Sequence, residues 1–345
     1  MLSFFLPLCF FSAVSSTKAQ SADQQLIKLR DQLAMRYFDP AAHMDLAKYF
    51  WSRGDRLQAF YLCENARRSR FPEMIFDGAF AKAFGGSSFF DNSDQAEALF
   101  EKGAELQKIG RLAEAEQTFV KAAELASNSA HVQMWTGRFF YKVKKNEQKA
   151  LKYYLNAYFL DPHAYETEYV EYRIRGINMA AAAARYRQIV ASGISMAKIS
   201  TETNPTVVVL AAAEMGKRWK AFYVKTAVEL MSHDDEEVRW LAMEAIRNNV
   251  NASFDPTLDL LLQDTDFRRR GMAAYIAAFR RKKESLPILQ NMLSEKSQLL
   301  RFDALSALAM FGGEEGLQIL IRHRAFEPHP TLKELIDKSM NSPAQ

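Results

Sequence analysis

The sequence predicts an all-α fold built as two successive arrays of helical repeats, a two-part solenoid. Three observations carry that prediction. Ala, Leu, Glu, Lys, Arg and Gln are common, while 14 Gly and 10 Pro in 345 residues cluster between segments, the composition of good helix formers with breakers held to the joints. Small residues recur in one register through the first half, with Gly103 and Gly137 separated by 137 − 103 = 34 positions. An apolar-Arg-x-x-small-x-x-small pattern recurs through the second half. Stacked repeats present long surfaces rather than deep pockets, so the pattern points to a binding protein.

Bulk properties narrow the class. Hydrophobic residues make up 48%, enough for a full core, and charged residues 25%. The net charge of +4 lacks the concentrated basic face that nucleic-acid binding requires. Leu2 to Val14 is an apolar run of 13 residues, shorter than the roughly 20 a membrane-spanning helix needs. Thr17 and Ala19 sit at −3 and −1 of a cleavage point after Ala19. Residues 1–19 therefore read as a signal peptide and the chain as exported, periplasmic or secreted. No Lys or Arg precedes the run, and a retained anchor stays open as the alternative. Cys9 would leave with the signal, and Cys63 on an apolar helix face reads as a small buried hydrophobe.

The first array is expected over 20–195. In Ala96–Ser129, Gly103, Gly110, Ala115, Phe119 and Ala122 hold repeat positions 8, 15, 20, 24 and 27. The next unit, 130–164, repeats them with Gly137, Ala150, Tyr154 and Ala157, adds Pro162 at the helix end, and carries one extra residue in the turn. An earlier unit near 40–72 carries Leu46, Phe50, Gly54, Ala59, Cys63 and Ala66 in the matching places. A degenerate insert, 73–93, keeps Gly78 and Gly85 at the right spacing and a Phe76, Phe80, Phe84 stripe, then runs into a loop at 86–92. These units resemble tetratricopeptide (TPR) repeats.

That resemblance implies a concave groove, formed by the first helix of each unit, that holds a protein or peptide segment. The groove positions are Met44, Lys48 and Trp51, then Phe100, Gln107 and Lys108, then Met134, Arg138 and Tyr141. Trp51, Phe100, Arg138 and Tyr141 are the expected anchors. Aromatic, methionine and cationic side chains together suit a segment with apolar anchors and some acidic character. Phe100, Ala104 and Met134 stand where a chaperone clamp would need Lys and Asn.

A joint follows. Tyr165–Tyr172 has helical spacing, 179–184 is nearly all alanine, and Ser192-Gly193 and 201–205 are breaks. The boundary is expected at 195–205. Over 205–326 the Arg-centred pattern occurs at Val238–Ala245, Phe267–Ala274 and Leu300–Ala307, and more weakly at Val207–Ala211. Its arginines, Arg239, Arg268 and Arg301, lie 29 and 33 apart. This half resembles short HEAT repeats, which implies that those arginines pair with acidic residues of the neighbouring unit. Asp234-x-x-Glu237 reads as a helix-start box. Residues 327–345 read as a tail.

Arg269, Arg270, Arg280, Arg281, Lys282 and Lys283 form a local basic cluster. It is either a solvated face or a second docking patch, for an anionic lipid or polymer of the cell envelope. The chemistry-bearing motifs are missing. Six scattered histidines make no H-E-x-x-H and no His-Glu dipeptide, the glycine pairs lack the residues of a phosphate loop, and no G-x-S-x-G occurs. The sequence therefore predicts no catalytic residue, no metal, no cofactor and no small-molecule substrate. It reads as a non-catalytic scaffold.

Overall fold

A computed structural model describes residues 24–69, 94–161, 167–191 and 202–341, together with Phe84 and Ile199. The signal segment, all of the 73–93 insert except Phe84, Pro162, and the breaks at 192–193 and 201 lie outside the described residues. Among the described residues every regular element is helical. None of these helices is long and apolar enough to cross a membrane.

Helix α1 spans 24–35 and α2 spans Pro40–Ser52. They are followed by α3 (Arg56–Ser69), α4 (Asp94–Lys108), α5 (Leu112–Leu125), α6 (Ala130–Lys142), α7 (Glu147–Leu160) and α8 (Thr167–Ala191). Next come α9 (Pro205–Lys217), α10 (Tyr223–Leu230), α11 (Glu236–Asn249), α12 (Asp255–Leu261) and α13 (Phe267–Phe279). The series closes with α14 (Leu286–Met292), α15 (Gln298–Phe311), α16 (Gly313–Arg324) and α17 (Pro330–Asn341). Packing divides the chain into two compact units. One comprises the residues up to Tyr49 together with those from Val250 onward, and the other is Phe50–Asn249. The boundary read from repeat kind, at 195–205, falls inside the second of these.

In the Phe50–Asn249 unit, α4 with α5 and α6 with α7 form helical hairpins. Gly110 turns the first at φ +79°, a conformation that costs a Cβ-bearing residue. In the second, Lys145 takes the left-handed position (φ 53°), in the turn that carries the extra residue. Ser129 Oγ accepts from the Val132 N–H at 3.4 Å and Asn146 Oδ1 from the Lys149 N–H at 3.0 Å. Each cap satisfies a donor that the first helical turn leaves free. The small residues sit where the helices close on each other. A Cβ on Gly103 would lie 3.1 Å from the Phe119 ring, and one on Gly137 would lie 2.9 Å from the Tyr154 ring. Tyr154, Tyr158, Phe159 and Phe140 are fully buried there.

From α9 onward the period is regular. Helices α9, α11, α13 and α15 begin at 205, 236, 267 and 298, each 31 after the last. Four capping residues share the step. Asn204, Asp235, Asp266 and Ser297 accept from the N–H groups of Thr206 (3.0 Å), Glu237 (2.9 Å), Arg268 (2.9 Å) and Leu300 (3.2 Å). The helix-start box read at Asp234 is thus a cap by Asp235. Pro256 and Pro287, also 31 apart, open the second helices α12 and α14, where a missing N–H costs nothing.

This period corrects the arginine alignment. The residue equivalent to Arg239 and Arg301 is Arg270, since 270 − 239 and 301 − 270 are both 31. Arg239 Nη1 donates to the carbonyls of His233 and Asp234 at 2.8 and 3.0 Å. Arg301 Nη1 does the same to Glu295 and Lys296 at 2.9 and 3.1 Å. Both reach back six and five residues to carbonyls beyond the end of the preceding short helix. Arg301 also meets an acid of the following unit, Glu327, through Nε at 3.1 Å and Nη2 at 3.2 Å. Arg268 pairs with Asp266, the cap of its own helix, at 2.9 Å.

In the unit that joins the two ends of the chain, residues 33–38 pack on the C-terminal repeats. Ala34, Tyr37 and Leu299 form a buried cluster with Leu33, Phe38, Phe267 and Phe302 around it. Ser297 Oγ donates to the Ala34 carbonyl at 2.9 Å, and Gln298 Oε1 accepts from the Phe38 N–H at 3.1 Å. The segment read as a tail is also structural. Leu332 and Ile336 of α17 are buried, and Glu327 is 1% exposed.

Candidate binding surface

The expected groove residues separate into distinct environments. Met134 is 3% exposed and belongs to the core, because it lies on the face of α6 that closes on its neighbours rather than on the open one. Met44 and Lys48 lie in the unit formed by the chain ends, half-buried, with Lys48 Nζ 3.6 Å from Asp45. Gln107 and Lys108 are exposed at the end of α4.

Phe100, Arg138 and Tyr141 are half-buried and join one strip of the Phe50–Asn249 unit. The ring of Phe100 lies 5.8 Å from His131, and His131 lies 6.1 Å from Trp135. The Arg138 guanidinium sits 4.4 Å over the Trp135 ring. One turn on, Tyr141 accepts a hydrogen bond from Arg173 Nη1 at 3.2 Å, with the guanidinium 4.8 Å over its ring. Arg173 also faces Tyr172, which is 67% exposed. Such stacks hold a cation flat on an aromatic face while leaving N–H donors free to meet a ligand. Trp135, Arg173 and Tyr172 were not among the expected residues. The spacing of His131, Trp135 and Arg138 on one helix face is a signal that could have found the first of them.

Trp51 stands elsewhere in the same unit. Its ring is 4.4 Å from Phe159 and 5.8 Å from the buried Phe84. The Arg56 guanidinium lies 4.6 Å above it and donates to Asn156 Oδ1 at 2.5 Å. Trp51, Arg56, Phe84, Ser127, Asn128, Asn156 and Leu160 line a cavity of about 240 Å³. Arg56 also lines a second cavity of about 530 Å³, with Gln58, Lys152 and Asn204. Burial pushes the Arg56 guanidinium below its ordinary pKa.

Behind these surfaces a buried ionic cluster ties α3, α7 and α8 together. Glu64, with a fully buried side chain, accepts from Arg67 at 3.0 and 2.7 Å, from Tyr158 Oη at 2.5 Å and from Arg175 at 3.2 Å. Glu171 takes the second bonds of both arginines, at 2.9 and 3.0 Å. Burial would raise the Glu64 pKa, but hydrogen bonds from Arg67 and Tyr158 and the Arg67 charge outweigh it and hold the carboxyl at about 2. Beside it, Cys63 is fully buried, and burial followed by the Glu64 charge pushes its thiol far up. A thiol held protonated is inert.

The basic cluster is largely neutralised within the fold. Arg269 meets Asp264 at 2.8 Å, Arg270 meets Glu295 at 3.2 Å and Arg280 meets Asp255 at 2.9 Å. Lys282 meets Asp259 at 2.6 Å and Lys283 meets Glu315 at 2.9 Å. Arg281 is exposed and occupies a left-handed turn position at φ 50° after α13.

Comparison with known proteins gives one family finding. A family model of HEAT repeats matches residues 254–339. No curated protein and no solved structure matches the chain.

Proposed function

We propose that this chain is a non-catalytic adaptor that holds a segment of a protein partner on the aromatic and cationic strip of α4, α6 and α8. HEAT repeats typically mediate protein–protein interaction, which supports a protein partner at the coarse level. The observation that carries the finer reading is the strip itself, in which Phe100, Trp135, Arg138, Tyr141 and Arg173 stand side by side, half-buried rather than covered. Rigid aromatics flanked by arginines are the residue types that dominate interface energetics. The glycine positions support reading these hairpins as TPR-like. Gly103 and Gly137 lie at closest approach and Gly54 and Gly110 in left-handed turns, the places that the repeat pattern assigns to small and turn residues.

The pairing of the basic cluster favours this reading over a surface binder for anionic lipid or polymer. Five of its six cations already have carboxylate partners, so little uncompensated charge is left for a distant polyanion. Export after Ala19 is part of the proposal and rests on residues 1–19 alone.

The test is affinity capture from the native extract by the wild-type chain and by an Arg138→Ala, Tyr141→Ala double variant. The expected result is a defined protein retained by the wild type and lost from the double variant, with unchanged far-UV circular dichroism. Equal retention by both forms would remove the strip as the binding surface.

A further inference from the structure

We infer that the 240 Å³ cavity at Trp51 is a subsite for a carboxylate of the bound peptide segment, with Arg56 as its counter-ion and Trp51 and Phe84 as its apolar wall. The inference rests on the segment-binding reading and adds a second, chemically distinct contact to it.

Two observations carry it. Arg56 is a half-buried cation whose partners among the described residues are neutral, the side-chain carbonyl of Asn156 and the face of Trp51. No carboxylate among the described residues lies within ion-pair distance of it. Its situation differs from that of Arg67, Arg175, Arg301 and five of the six cations of the basic cluster, which meet acids. A partly desolvated guanidinium without a counter-ion is costly to maintain and is relieved by an incoming anion. Its planar fork presents donors beyond the one given to Asn156, in the geometry that suits a carboxylate.

The second observation is the cavity's size and lining. At about 240 Å³ it falls short of the ~300–1,000 Å³ typical of small-molecule and cofactor sites. It takes one side chain or a chain end. Trp51, Phe84 and Leu160 supply an apolar wall, while Ser127, Asn128 and Asn156 supply a polar rim. The matching ligand is an Asp or Glu side chain, or a terminal carboxylate, next to an apolar residue. Asn156 is itself held in place, since its Nδ2 donates to Gln133 Oε1 at 3.0 Å and Gln133 Nε2 donates to the Ala123 carbonyl at 2.8 Å.

The experiment uses an array of amidated nonapeptides in which one Asp is flanked by Leu and Phe, each paired with its Asn counterpart. A third series carries Asn with a free C-terminal carboxylate. Wild type, Arg56→Gln and Arg56→Lys are compared. The wild type is expected to prefer Asp over Asn peptides by roughly tenfold or more, the worth of about one charge-assisted hydrogen bond. R56Q should lose that preference and R56K keep part of it. If the free C-terminus also restores binding, the carboxylate is supplied by a chain end as well as a side chain. If R56Q does not fold, the Arg56 Nε–Hε resonance of the wild type decides, because it should shift with Asp peptides and not with Asn peptides. An Asp-to-Asn ratio near one in the wild type, or a ratio that survives in R56Q, overturns the inference, and so does binding of no peptide at all. An Asp-peptide affinity left unchanged in the Arg138→Ala, Tyr141→Ala variant would instead refute the strip and leave the subsite standing.

Discussion

Replacing Glu64 with Gln tests whether the buried ionic cluster holds α3, α7 and α8 in place. Gln keeps the shape and removes the charge, which leaves Arg67 and Arg175 to share Glu171 alone. The gap between the ordinary carboxyl value of 4.5 and the value of about 2 held in the fold corresponds to about 3 kcal/mol. The sign follows from the depressed pKa. The stabilisation is fully present above the unfolded value of 4.5 and is lost as pH falls from there through about 2. The cost of Glu64→Gln is therefore about 3 kcal/mol at pH 7 and falls by more than half by pH 3, where the wild type has itself lost most of the same stabilisation. Urea unfolding of both proteins, followed by far-UV circular dichroism at pH 7 and pH 3, measures the difference directly. A cost that is the same at both pH values, or one below about 1 kcal/mol at pH 7, would show that the cluster does not stabilise the fold electrostatically.

Two further outcomes follow from the packing. Gly137→Ala places a methyl 2.9 Å from the Tyr154 ring and 3.3 Å from the Ala150 carbonyl, so it should destabilise by about 1–3 kcal/mol. Gly216→Ala, whose Cβ would meet Ala245 at an ordinary 3.6 Å, should be neutral or stabilising by up to about 1 kcal/mol. Thermal unfolding that ranks the two variants equally would contradict the close-approach reading. Tyr37→Ala with Phe38→Ala should lower hydrogen-exchange protection of the amides in 298–311, because both rings pack against Phe302. Unchanged protection there would mean that the N-terminal segment does not support the last repeats.

Much of the architecture was legible because it rests on local rules. Gly103, Gly110, Ala115 and Phe119 announce a hairpin by spacing alone, since only small residues fit where two helices touch and only glycine turns freely at positive φ. The features that escaped depend on neighbours far away in sequence. Glu64 lies among apolar residues on α3, and nothing local says that Tyr158 and Arg175 will meet it. Tyr37 and Phe38 precede the first repeat and look like linker aromatics until Leu299 and Phe302 supply a partner. The arginines misled for a different reason. Phe267-Arg268 fits the apolar-Arg pattern, and only the caps at Asn204, Asp235, Asp266 and Ser297 fix the step at 31 and move the equivalent residue to Arg270. At the candidate surface, side-chain type singled out Phe100, Arg138 and Tyr141, which lie along one strip, but could not tell Met134, which faces inward, from its neighbours. The basic cluster looked unpaired because most of its acids are distant in sequence, Asp255, Asp259 and Glu315 on neighbouring helices and Glu295 in the bend between α14 and α15.

The seam between residues 34–38 and 297–302 has a consequence for how the protein is made. Its two hydrogen bonds join positions 260 and 263 apart in sequence, and the unit they close is interrupted by the whole of Phe50–Asn249. During synthesis the interrupting unit is finished and able to fold while Tyr37 and Phe38 still lack the surface they cover. The outer unit can be completed only after residue 302 has emerged. Loop closure over such a distance adds little to the equilibrium cost but places the step late in folding. Until the last repeats arrive, Tyr37 and Phe38 lack Leu299 and Phe302, the partners they pack against in the finished fold, so this seam cannot form before residue 302 is made.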